Sequence, residues 1–201
     1  MNRGELREYF KDILNRSDCT DAQADRFINF GIRRLERSVR LPPMESSYEY
    51  TIEGGNASLG LPSDYLELIG VFHKGKRLTR DSGSNPDQYG TSGVPQAFAR
   101  IADSIVVYPT PANGEKIVIR YYGEFSNLTD DNSTTAEATL LPDAIIYAGL
   151  IYASDFYIDE RKPLFEQTLA TLVSEIERMA ERDEFAGRDL RIGNPYSGID
   201  Y

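Results

Sequence analysis

Between Ser104 and Met179 the apolar period of the chain changes once, from two residues to between three and four, and this change restricts the chain to a mixed architecture. The first part, SIVVYPTPANGEKIVIRYYGEFSNL, alternates as a half-buried strand pair does. The second part, LLPDAIIYAGLIYASDFYIDERKPLFEQTLATLVSEIERM, carries its apolar residues at helical spacing. A chain holding both periods over adjoining lengths is expected to be α+β. The same stretch contains no His and no Cys, so what it offers is contact surface more than catalytic chemistry.

The flanking segments extend the pattern. Leu6, Phe10 and Ile13 share one side of a helix expected from about Arg3 to Arg16. Thr20 and Gln23 have the spacing of a capping box, and Ile28, Ile32, Leu35 and Val39, widened by Phe27, give the next helix its stripe. Pro42 and Pro43 end it. From Ser47 the period becomes two, with Tyr48, Tyr50 and Ile52 on one face, before Gly54-Gly55-Asn56 turns the chain. Strands are expected at Leu66 to Phe72, Arg77 to Arg80, Ala97 to Ile101, Ser104 to Tyr108 and Lys116 to Tyr122. The polar run Asp81 to Gly93 reads as a loop with a helical turn around Pro86 to Tyr89, and Asn127 to Thr139 as a linker.

Pro142 suits the first turn of a helix, and Asp143 suits the positive end of its dipole. Ile145 to Tyr152 is apolar on nearly every side, so this helix is expected to be covered by several neighbours. Pro163 restarts the chain as a final helix with a heptad-like stripe of Phe165, Leu169, Leu172, Ile176 and Met179. Burying each of these contributes at best about 1.5–3 kcal/mol. Ordering the helix costs about 1–2 kcal/mol for every residue fixed. The stripe therefore needs partners, and together with Ile146, Leu150 and Phe156 it forms the candidate set for helix packing or subunit contact. Gly187 is a candidate helix cap. Arg188 to Tyr201 shows no period and is expected to be an extended arm that orders only against a partner. The organisation that follows is a helical bundle of residues 1–43 and 139–187, an inserted antiparallel β-rich region of residues 44–138, and an arm of residues 188–201.

Charge and composition exclude several functions. A net charge of -10 argues against a nucleic-acid-binding face, although a negative wall lets DNA pass without adhering. A single Cys excludes an intrachain disulfide and a cysteine zinc site, and it points to a reducing compartment. The N-terminus lacks the unbroken apolar core of a signal peptide, and no membrane span is expected, since Ala144 to Ser154 is about half the roughly 20 residues one needs.

Candidate chemistry is sparse. Gly70 to Lys76 fits the opening of a phosphate loop, but Arg77 replaces the magnesium-binding hydroxyl and no helix follows. His73, the only His, reads as an exposed strand-end residue. Glu49 and Glu53, or Asp155, Asp159 and Glu160, offer carboxylate pairs for a glycosidase, yet they lie on polar faces where such pairs arise by chance. Asp130-Asp131-Asn132 lacks the glycine and distal glutamate of a calcium loop. Tyrosine is frequent, at 13 residues, and Tyr196 and Tyr201 fall in the tail, where no core needs covering.

The order of elements resembles the head-to-tail adaptor, or connector, proteins of tailed bacteriophages, especially short-tailed ones. The likeness is carried by the N-terminal helical pair ending at LPP, the LPSDYLELIGV strand, the SIVVYPTPANGEKIVIRYYGEFSNL hairpin, the LLPDAIIYAGLIYASDFYIDERK helix and the long final helix. It implies a virion protein, assembled in the host cytoplasm, that forms a homo-oligomeric, dodecameric ring joining the portal protein to the tail nozzle while DNA passes through unbound. It further implies that Arg188, Leu190, Arg191, Ile192, Pro195, Tyr196, Ile199 and Tyr201 form the portal-binding arm, and that neither enzyme activity nor a cofactor is needed. The alternatives are a peptidoglycan-degrading glycosidase and a glycan- or receptor-binding tail module. Some relatives degrade peptidoglycan, but no motif here carries that activity over.

Overall fold

The N-terminal helix, α1 (Arg3–Leu14), starts where Asn2 can cap it: its side chain accepts from the Glu5 amide at 2.8 Å, and the Glu5 carboxylate accepts from the Asn2 amide at 2.9 Å. It stops at Leu14, short of the expected Arg16, because Asn15 takes the left-handed conformation (φ 52°) that a short polar side chain tolerates. Helix α2 (Asp21–Ser38) begins with the expected reciprocal cap between Thr20 and Gln23. Pro42–Met44 then forms one tight turn before the strands. The computed structural model describes residues 1–55, 57–81 and 86–185; side chains 86, 87, 181 and 183–185 fall outside that description. Gly187 and the whole of 188–201 also lie outside the described residues, so the cap and the arm read from the sequence are not placed.

The strands are β1 (Glu45–Thr51), β2 (Ser58–Gly60), β3 (Tyr65–His73), β4 (Lys76–Arg77), β5 (Thr79–Arg80), β6 (Ala97–Ile101), β7 (Ser104–Tyr108) and β8 (Lys116–Gly123). They form two four-stranded sheets, ordered β1-β8-β3-β4 and β2-β7-β6-β5. Val71, Ile117, Ile119 and Tyr121 of the first meet Leu59, Phe98, Ile105 and Val107 of the second in one apolar core. Two expectations are corrected here. Arg77 to Arg80 is not one strand: Arg77 pairs with Phe72 in one sheet, while Thr79 and Arg80 run parallel to Ala97 and Phe98 in the other. Buried Leu78 is the pivot, its amide held by the Val71 carbonyl at 2.8 Å. The β-rich region is accordingly not purely antiparallel. The sequence reading also lacked β2, whose three residues pair with Ser104–Val106.

The chain then returns to helices: α3 (Ala136–Leu140), α4 (Pro142–Tyr157) and α5 (Lys162–Phe185). The expected linker Asn127 to Thr139 is in fact folded. Asn2 bridges to Thr134, the Arg3 and Gly4 amides donate to the Ser133 and Asp131 carbonyls, and Thr135 caps α3. Helix α4 packs against α1, α2, α3 and α5, as its all-round apolar sequence requires. Its closest crossing is with α2, where glycines face each other. A Cβ on Gly31 would lie 2.6 Å from the Gly149 amide nitrogen and 2.8 Å from the Ile145 carbonyl, so the two backbones are in contact.

Bundle and sandwich share a boundary. Met44 and Phe125 are buried in the helical core, and Leu66 and Tyr122 pack against it. At the same boundary the carboxylate of Glu36, 3% exposed, accepts from the Phe125 amide at 2.9 Å and from Arg33 at 3.1 Å. Arg33 also reaches Glu124 at 2.7 Å, and Arg40 reaches Glu67 at 2.7 Å.

Candidate interaction surface

The helical stripes leave a remainder that water does not favour. Phe27, Phe30, Tyr152 and Phe156 line the outer edge of the α2–α4 contact, with Phe30 on Tyr152 at 5.6 Å and Phe27 on Phe156 at 5.7 Å between ring centres. Phe30 remains 52% and Phe156 61% exposed, although each has a ring to pack on. At the α4–α5 corner Ile158 is 90% and Leu164 59% exposed. Ile158 is also held in the left-handed conformation (φ 54°), which a β-branched residue resists. A strained, exposed isoleucine beside exposed aromatics is the kind of feature a contact surface explains.

The corner itself is rigidly tied. The guanidinium of Arg161 donates to the Ile13 carbonyl at 3.1 Å and to the Leu14 carbonyl at 2.8 Å, while also pairing with Asp159 at 2.6 Å. It thereby satisfies the bare carbonyls at the end of α1. The Arg161 side chain, and after it the Arg161 amide, donate to Asp159 and hold its carboxyl below its usual range. At the opposite end Arg7 bridges Asp25 at 2.8 Å and Asp131 at 2.6 Å, which fixes the 127–135 segment to α1 and α2 and lowers the Asp131 carboxyl. Burial, by contrast, pushes the Glu36 carboxyl up, despite its bonds to Phe125 and Arg33.

The contact residues read from the sequence divide. Ile146, Leu150, Phe165, Leu169 and Ile176 are buried inside the chain and Leu172 partly so. Phe156 and Met179 face outward, Met179 at 39% exposure. Of the catalytic candidates, His73 is corrected: it is 5% exposed, not an open strand end, and its Nε2 meets Glu115 at 2.7 Å. Lys74, on the turn, shares that carboxylate at 2.8 Å and, before His73, lowers the Glu115 carboxyl. Gly70 to Lys76 is strand, turn and strand, with Lys74 and Gly75 at positive φ and no helix after it. Glu49 is tied to Lys116 at 2.6 Å and Asp155 to Lys162 at 2.7 Å, while Glu53 is exposed beyond the end of β1. Among the described residues no group of His, Cys, Asp and Glu could hold a metal ion, and no helix is long and apolar enough to cross a membrane. Sequence reasoning missed Phe30, Ile158 and Leu164, although Phe30 departs from the stripe of its own helix and was legible on that ground.

Fold and surface together define an α+β contact protein whose exposed large apolar residues lie on both parts: most are on the helices, while Tyr48, Val94 and Ile101 stand on the β-rich region. The chain belongs to the SU10 adaptor protein family, whose model matches residues 1–193. It is a phage adaptor protein, a virion component that associates with other head and tail proteins. No curated protein matches the chain.

Proposed function

We propose that this protein forms a ring between the portal and the tail, with DNA passing along the ring axis and residues 188–201 serving as the portal-binding arm. The observation that carries the reading is membership of the adaptor family over residues 1–193. The exposed aromatic edge of α2 and α4 supports it, since adaptors act through subunit and partner contacts. The net charge of -10 supports passage of DNA without adhesion. We read the role as structural: of the carboxylate pairs that a glycosidase would use, one member of each, Glu49 and Asp155, is held by a lysine.

The test is native mass measurement of purified portal protein from the same phage, mixed with the full chain or with a chain lacking residues 188–201. The full chain should add a defined number of copies to each portal and the shortened chain should add none. A full chain that ignores portal contradicts the reading, and a shortened chain that still binds contradicts the role of the arm.

A further inference from the structure

Two exposed helix faces of this acidic protein are complementary to each other. On α1 the face away from the core carries Glu8, Tyr9 and Asp12, with Tyr9 52% exposed. On α2 the outward face carries Phe30, half-buried Arg34 and exposed Arg37, with Phe30 also 52% exposed and Lys162 of α5 close enough to Arg34 to add to the positive charge. Asp12 is four residues from Glu8 and three from Tyr9, and Phe30, Arg34 and Arg37 are spaced by four and three, which puts each set on one helix side. Glu8, Asp12, Arg34 and Arg37 have no ion-pair partner among the described residues, whereas their neighbours Arg7, Lys11, Arg33 and Arg40 all do.

The two faces cannot meet within one molecule. The side of α1 that approaches α2 is occupied by Arg3, Arg7 and Lys11, which pair with Asp25 and Asp21 of α2. Tyr9 lies on the opposite flank of α1, and Phe30 lies on the flank of α2 turned toward Tyr152 of α4. An acidic face with one open aromatic and a basic face with one open aromatic thus point away from each other. Repeating such a contact from copy to copy gives a head-to-tail arrangement, which closes as a ring when the rotation permits.

We infer that Glu8, Tyr9 and Asp12 of one copy dock on Phe30, Arg34 and Arg37 of the next, forming the lateral contact between subunits. The inference rests on the ring proposed above and names the faces that build it. A second copy is favoured over nucleic acid, because a chain of net charge -10 repels phosphate at long range while its own acidic face fits the arginines.

The experiment uses the full chain and two charge-reversed variants, Glu8→Arg with Asp12→Arg and Arg34→Glu with Arg37→Glu. Each is first checked for unchanged circular dichroism. Sedimentation is followed from about 10 μM to about 1 mM, a range that reads weak association directly. The unmodified chain should self-associate and do so less at about 0.5 M salt. Either variant alone should associate at least about tenfold more weakly, and an equimolar mixture of the two should recover association, because both contacts are then complementary again. A chain that stays monomeric throughout, variants that associate like the unmodified chain, or a mixture that does not recover each overturns the assignment. So does duplex DNA binding that Arg34→Glu with Arg37→Glu removes. Failure here with normal portal binding leaves the ring reading standing and the faces wrong, whereas absent portal binding counts against the ring itself.

Discussion

Gly31 and Gly149 let α2 and α4 touch backbone to backbone, and two physical terms of opposite sign act there. Replacing a helical glycine with alanine is worth about 1 kcal/mol in intrinsic propensity. Forcing a methyl group into a packed site costs about 1–3 kcal/mol, toward the upper end when the obstructing atoms are backbone. Since the nearest atoms to a Cβ on Gly31 are the Gly149 nitrogen and the Ile145 oxygen, the clash should win, and Gly31→Ala should lower the urea midpoint. An unchanged midpoint contradicts the close crossing. Ile158 works in the other sense. A left-handed non-glycine residue is strained by about 1–2 kcal/mol, so Ile158→Gly should raise the stability of the isolated chain by up to about that amount, read as a higher Tm.

Glu36 gives a prediction in pH. Its folded-state carboxyl is raised by burial, so its favourable contribution is complete below the unfolded value of about 4.3 and is lost as pH rises through the folded value. Glu36→Gln keeps an acceptor for the Phe125 amide without the buried charge, so its stability relative to the unmodified chain should improve from about pH 4 to pH 7. Glu36→Ala leaves that amide unpaired and should cost about 1–3 kcal/mol at either pH. Denaturant titration at the two pH values decides both. The Asp131 and Asp159 carboxyls are shifted the other way, so their contribution is present above the unfolded value and lost as pH falls through the folded one.

At the scale of elements, the stripes separate residues that hold the fold from residues left for contacts. Leu150 is fully buried and Met179 is 39% exposed, so Leu150→Ala should cost about 2–5 kcal/mol and Met179→Ala about 0.5 kcal/mol or less, measured by urea unfolding. Equal losses contradict this division. Most elements were legible from local pattern: the Thr20 cap, the proline start of α4, the tight turn between β6 and β7 and the all-round apolar α4 each follow from a handful of adjacent residues. What stayed hidden depended on partners distant in sequence. Nothing near Leu78 tells that Arg77 and Thr79 pair with different sheets. Polarity made Asn127 to Thr139 look like a linker, because its order comes from Asn2, Arg3 and Arg7 more than a hundred residues away. His73 looked exposed for the same reason, its cover and its partner Glu115 coming from another strand connection. Of the interaction surface, Phe156 and Met179 were legible as members of helical stripes. Phe30 was legible only as a departure from the stripe of its own helix, and Ile158 required knowledge of which helix sides were already occupied.

For the whole molecule, bundle and sandwich are fastened at Glu36, Arg33 and Arg40 and share Met44 and Phe125, so a load applied to the helices is transmitted to the sheets. That coupling suits the position between portal and tail proposed above. In the ring proposed above the helices assemble the copies, because the aromatic edge, the α4–α5 corner and the two charged faces all lie there. Electron microscopy of purified portal mixed with the full chain tests that central claim most directly. The account predicts a closed ring coaxial with the portal, with the helices forming the contacts between copies; single copies scattered on the portal, or a ring joined only through the sheets, contradict it.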